Sequence, residues 1–231
     1  MEYKEAVEPV EMGSEETAPK KPRKRFFDAK SIAYFGILTA LEIVLLLWGS
    51  AVPVGAGGAS LNFSLVPIVL GAILMGPVAG ALLGLISGIA IFIMVILGAQ
   101  GPVFSYLFAA QPVMIALICL VKTTAAGLVS GILYRLVAKK NQKAAVFAAA
   151  VAAPIVNTGL FVLGMLCISG AVEASAAEFG FAQTSAISVI LLVFVTYNFF
   201  IEFAINLVLA PALCTVIRVV EKRFAKRKGK A

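Results

Sequence analysis

Histidine is missing from all 231 residues, and only 13% of the chain is charged. The first absence removes Ser-His-Asp hydrolysis, Cys-His proteolysis and H-E-x-x-H zinc chemistry together. No G-x-x-x-x-G-K-[ST] loop occurs, and Lys122 and Thr123 lack the glycines that would precede them in one. The glutamates within apolar segments have no Gly-Asp context of the kind an aspartyl-protease-like pair would need. The chain is therefore expected to be no enzyme, with no metal and no cofactor of its own. Cysteine is scarce too: Cys119, Cys167 and Cys214 fall in apolar stretches without metal-ligand spacing and read as small buried hydrophobes. Soluble domains carry roughly 25% charged residues. With about half that charge and 61% hydrophobic residues, water is not the main solvent of this chain.

What is present is apolar length. Segment 61–88 runs without a charge through Gly76 and Pro77, a pair suited to a tight reversal followed by the first turn of a new helix. Gly76, Gly80, Gly84 and Gly88 recur every fourth residue, so small residues line one helical face that a neighbouring backbone can approach closely. A bilayer core takes about 20 apolar residues per helix. The reading is an all-α integral membrane protein with six transmembrane helices at about 31–48, 61–75, 77–97, 112–138, 144–168 and 185–217. The second is short and holds Pro67, so it is expected to be irregular or shielded by protein, because exposed backbone is costly in lipid.

Charge distribution sets the orientation. Lys20, Lys21, Arg23, Lys24, Arg25 and Lys30 precede the first span, Arg135, Lys139, Lys140 and Lys143 cluster between the fourth and fifth, and Arg218, Lys222, Arg223, Lys226, Arg227, Lys228 and Lys230 follow the sixth. The opposite gaps, 49–60 and 98–111, are uncharged, and 169–184 holds only Glu173 and Glu178. Lys and Arg favour the cytoplasmic side, so both termini are expected there. Three regions follow: a disordered charged cytoplasmic tail at 1–29, a membrane domain at 30–218 and a basic cytoplasmic tail at 219–231. The basic run at 19–25 reads as an anchor to anionic lipid, not as a nucleic-acid patch. The first apolar stretch extends to Trp48 behind a long charged region, so it is expected to remain as a span and not be cleaved.

Ionisable groups inside spans are functional hypotheses. Glu42, Lys122 and Glu202 qualify, and Glu42 with Lys122 can form a purely structural bridge. Asn198, Glu202 and Asn206 are spaced by four and share one helical face with Tyr197 nearby. That stripe suits contact with a solute, with interhelical hydrogen bonding as the plainer role. Asn157 and Thr158 are open to both roles. Gly36 and Ala40 form a small-residue pair in span one, and Gly127 and Gly131 another in span four, where packing within the chain is expected.

The start AYFGILTAL at 33–41, the glycine-rich loop 55–58, the run GAILMGPVAGALLG at 71–84 and the six-span plan bounded by Lys and Arg resemble the substrate-binding (S) components of energy-coupling factor (ECF) transporters over about residues 30–220. Gly36 stands where that family often has the first alanine of A-x-x-x-A. The resemblance implies the substrate-specific subunit of an ABC importer in a prokaryotic plasma membrane. Such a subunit captures a vitamin or similar micronutrient outside and docks on a transmembrane coupling protein with two cytoplasmic ATPases, which use the ATP. It also implies docking through Gly36 and Ala40, and a pocket lined mainly by spans four to six and roofed by the loop between spans one and two. Lys122, Asn157, Asn198, Glu202, Asn206 and Gln111 are the expected substrate contacts. Gln100, Phe104 and Tyr106 lie near the rim, where an aromatic belt is the preferred role for the two aromatics. Lys122 suits a carboxylate such as that of pantothenate, whose hydroxyl and amide groups suit Asn157 and Asn198, whereas Glu202 favours an amine. Pantothenate is the first expectation and riboflavin the second. The rival classes are a stand-alone secondary carrier, which should show related halves, and a non-transporting membrane assembly protein.

Overall fold

The computed structural model describes residues 29–51, 53–54, 59–60, 62–182 and 185–228; the N-terminal tail and the glycine-rich loop 55–58 lie outside the described residues. The six apolar stretches are all helical. Helices α1 (Ala29–Ser50), α2 (Leu65–Leu74), α3 (Pro77–Ile96), α5 (Pro112–Ala138) and α6 (Gln142–Cys167) carry the first five. The sixth is divided into a short α8 (Ala186–Ser188), a π-helical stretch Val189–Val195 and the long α9 (Thr196–Lys228). Among the described residues, five helices are long and apolar enough to cross a membrane. The second apolar stretch is not among them: α2 has 10 residues and rises only about 15 Å against a hydrocarbon core of about 30 Å. Its Leu65, Ile68, Val69 and Ala72 are fully buried, so α2 lies shielded among its neighbours.

Three further features occupy gaps between spans. Pro53–Val54 (β1) pairs antiparallel with Ala59–Ser60 (β2), making a small hairpin of the loop after α1. Pro102–Ala110 (α4) and Ser169–Glu178 (α7) are helices where the gaps in charge indicate only connecting loops. They pack at the end of the bundle away from the 139–141 turn, burying Val103 and Leu107 of one and Val172 of the other. At the chain's other end α9 continues as helix to Lys228, past the expected domain boundary at 218.

Local sequence explains the helix starts. Pro77, Pro102 and Pro112 each open a helix, where a fixed φ is useful and the missing N–H is not needed. Gly76 at φ 105° provides the reversal between α2 and α3, in a conformation other residues avoid. Asn141 caps α6 by accepting from the backbone N–H groups of Lys143 and Ala144 at 3.0 and 3.2 Å.

The glycine stripes form the scaffold. A Cβ on Gly80 would lie 2.6 Å from the Gly127 carbonyl oxygen, and one on Gly88 would lie 2.6 Å from the Cys119 carbonyl oxygen. Gly84 meets the Thr123 carbonyl in the same way, and Gly131 meets Pro77. Thus α3 and α5 pack backbone to backbone, as small residues permit. Gly36 differs: no heavy atom lies within 4 Å of a Cβ added there, and Ala40 one turn on is exposed. Large apolar side chains facing outward, among them Ile37, Val44, Leu163 and Val208, suit lipid tails.

Candidate functional site

A cavity of about 790 Å³, counting the open space at its mouth, lies among α5, α6, the π-helical stretch and α9. Polar groups from these helices line it together. Lys122 comes from α5, Asn157 and Thr158 from α6, and Asn198 and Glu202 from adjacent turns of α9. Gln100 joins them from the loop after α3, and Asn62 from the segment that follows the hairpin. Leu46 of α1 and Ile91 and Val95 of α3 complete part of the apolar lining.

Hydrogen bonds fix one side of the cavity. The Asn62 backbone N–H donates to Glu202 Oε1 at 3.1 Å, across 140 residues of sequence. Asn62 Oδ1 accepts from the Ser64 backbone N–H at 3.1 Å and from its hydroxyl at 2.5 Å. The Ser64 and Ser87 hydroxyls are 2.7 Å apart, tying this segment to α3. Asn206 Nδ2 donates to the Glu202 backbone carbonyl at 2.8 Å, one turn back on the same helix. Asn62 Nδ2, Asn157 Oδ1 and Asn198 Oδ1 are buried and have no partner. Buried polar groups are rarely left unsatisfied, so three such atoms around one cavity mark it as built for something polar.

The opposite character comes from phenylalanine. Phe104 lies 5.5 Å from Phe194 and 6.3 Å from Phe161, ring centroid to centroid, and all three line the cavity with Phe199. Lys122 Nζ sits over the Phe161 ring, 5.2 Å from its centroid, a cation–π placement. The wall thus offers a cation, a carboxylate, several amides and flat aromatic surface.

Of the residues expected to contact substrate, Lys122, Asn157, Asn198 and Glu202 converge on this cavity, and Gln111 and Asn206 do not line it. Gln111 is exposed at the junction of α4 and α5, and Asn206 lies one turn deeper than Glu202. Phe104 is on the cavity wall and not in an aromatic belt, whereas Tyr106 packs edge-on against Phe179. The side chain of Tyr197 lies outside the described residues. The Glu42–Lys122 bridge is not formed. Glu42 is fully buried beside Ser87, and only Lys122 of the two lines the cavity. Sequence reasoning missed Asn62, Phe161, Phe194 and Phe199. For Asn62 a signal existed: Asn-x-Ser just before a helix is a familiar local hydrogen-bonding pattern.

A family model described as the substrate-specific component of the ECF transporter matches residues 30–214. No curated protein matches the chain.

Proposed function

The chain belongs to the substrate-specific components of ECF transporters, and from that premise we propose that it captures a water-soluble vitamin or related micronutrient from outside the cell. On this reading it delivers the solute inward when docked on a membrane coupling protein driven by two cytoplasmic ATPases. The observation that carries the capture role is the convergence of Lys122, Asn157, Asn198 and Glu202, from three separate helices, on one cavity. A structural bundle has no use for unsatisfied buried amides at such a place.

Docking falls to the face of α1 that bears Gly36 and Ala40, which nothing among the described residues covers. Small residues there would let a partner helix approach closely. The Lys and Arg clusters favour cytoplasmic termini and so an outward-facing cavity mouth. Pantothenate fits the cation at Lys122 and the amides at Asn157 and Asn198. A second reading, riboflavin, is favoured by the ring cluster of Phe104, Phe161 and Phe194, which suits a flat heterocycle.

Mass spectrometry of small molecules retained by the detergent-purified chain, followed by uptake into proteoliposomes with and without coupling protein and ATPases, tests the proposal. The expected result is one vitamin at near-stoichiometric amount and uptake only with the full complex and ATP. Uptake by the chain alone would identify a secondary carrier. Neither retained ligand nor uptake would leave an assembly protein.

A further inference from the structure

Asn62 is 8% exposed and its amide orientation is fixed by its neighbours. A backbone N–H can only donate, so the bond from the Ser64 N–H identifies the atom it reaches as Oδ1, and the Ser64 hydroxyl reaches the same atom. The two N–H donors on Nδ2 are left without an acceptor. Beside them, the Asn62 backbone N–H engages Glu202 Oε1. A carboxylate accepts about four hydrogen bonds, and this contact uses one of them. Both residues line the cavity. One spot on its wall therefore presents unused donors next to an acceptor with spare capacity.

We propose that Asn62 and Glu202 together recognise an amide-type edge on the captured solute, a carbonyl or similar acceptor adjacent to an N–H or O–H donor. The proposal rests on the capture reading and names the chemistry that site selects. The acceptor meets Asn62 Nδ2 and the donor meets the Glu202 carboxylate. A solute with no donor, or one carrying only a cation, leaves one half of the pair unmet. Because Asn62 follows strand β2 by two residues, the same contact also ties the hairpin segment to the bound solute.

The test uses the full chain in detergent, titrated calorimetrically with pantothenate, riboflavin and biotin, which carry such an edge, and with nicotinate, which has no donor. An analogue of each edge-bearing probe that has lost the donors beside its carbonyl is titrated in parallel: riboflavin methylated at its imide nitrogen, biotin methylated at both ureido nitrogens, and pantothenate methylated at its amide nitrogen and at the hydroxyl beside the carbonyl. One edge-bearing probe should bind, and methylation of its donors should weaken it about 10- to 100-fold, the range for a lost buried hydrogen bond. Asn62→Ala should weaken the parent probe by a similar factor, and Glu202→Ala should abolish the methylation penalty. Asn141→Ala, which removes the cap of α6 and no cavity-lining group, serves as the stability control and should leave affinity within about threefold, less than the loss of one buried hydrogen bond. If an edge-bearing probe binds but methylation and Asn62→Ala each change affinity by less than about threefold, the edge is refuted while capture stands. Preferred binding of nicotinate refutes the edge in the same way. If no probe binds and no small molecule copurifies, the capture reading fails and this proposal fails with it.

Discussion

Alanine at Gly84 and alanine at Gly36 should have opposite effects, although both replace a glycine within an apolar helix. At Gly84 the new methyl would overlap the Thr123 carbonyl, with its carbon at 2.6 Å and the Thr124 Cα at 2.9 Å. Carbon contacts settle at about 3.5–4.0 Å, so α3 and α5 would have to separate by about 1 Å. The atoms in the way are backbone and cannot rotate aside. Overpacking of this kind costs about 1–3 kcal/mol, and the same seam at Gly80 and Gly88 would loosen with it. At Gly36 no heavy atom lies within 4 Å of the added carbon. There the change gains up to about 1 kcal/mol of helix propensity, and less if the denatured chain keeps its helix in detergent. The expected gap between the variants is about 1–4 kcal/mol. Reversible unfolding by dodecyl sulfate in mixed micelles, followed by tryptophan fluorescence, measures it. Equal stabilities, or a larger loss at Gly36 than at Gly84, would refute the backbone-to-backbone seam and the open face of α1.

Glu202→Ala should strand the buried Asn62 N–H and lower stability by about 1–3 kcal/mol, while Glu202→Gln, which still offers an acceptor, should lose less than half of that in the same unfolding assay. Asn198→Ala should weaken binding of the copurifying vitamin with little effect on stability, seen by calorimetric titration. Gly36→Leu should leave that affinity unchanged and abolish ATP-driven uptake in proteoliposomes; a parallel loss of binding would contradict the separation of docking face from cavity. Asn141→Ala should remove the cap of α6 and cost about 1 kcal/mol, readable in the unfolding midpoint and absent from the binding curve.

Features encoded by local periodicity were legible in the sequence. The reversal at Gly76, the four-residue glycine stripes and the clustering of Asn198 with Glu202 all follow from spacing along one helix. Features that depend on which faces of different helices meet were not. Glu42 and Lys122 have compatible depths along their spans, yet depth says nothing of azimuth, and Lys122 faces Phe161. Phe104 lies in a segment near the bundle end, which suggests an interfacial belt, but α4 turns it against Phe194. Helices α4 and α7 are too short to give a spanning signal, at 9 and 10 residues. The contact of Asn62 with Glu202 joins positions 140 apart, beyond the reach of any local pattern.

The cavity is bounded by two kinds of wall, and their mechanics differ. On one side α3 and α5 interlock through glycines whose replacement would collide with backbone, a seam that can open only by losing close packing along its whole length. On the other, the segment after the hairpin is held at Glu202 by a backbone hydrogen bond, at α3 by the Ser64 and Ser87 hydroxyls and at α1 by the ring of Phe63 against Trp48. Each such bond contributes about 0.5–1.5 kcal/mol net, and somewhat more at a charged group. Releasing that segment breaks a few local contacts, whereas parting the helices means breaking the scaffold. Access to the cavity should accordingly come through movement of the hairpin side, with the helical side unchanged. Ser64→Cys with Ser87→Cys, in a background free of Cys119, Cys167 and Cys214, tests this, because the two hydroxyls already meet at 2.7 Å and neither residue lines the cavity. The disulfide should block exchange of a bound vitamin when oxidised and restore exchange when reduced, and undiminished exchange in the oxidised protein would place the entrance elsewhere.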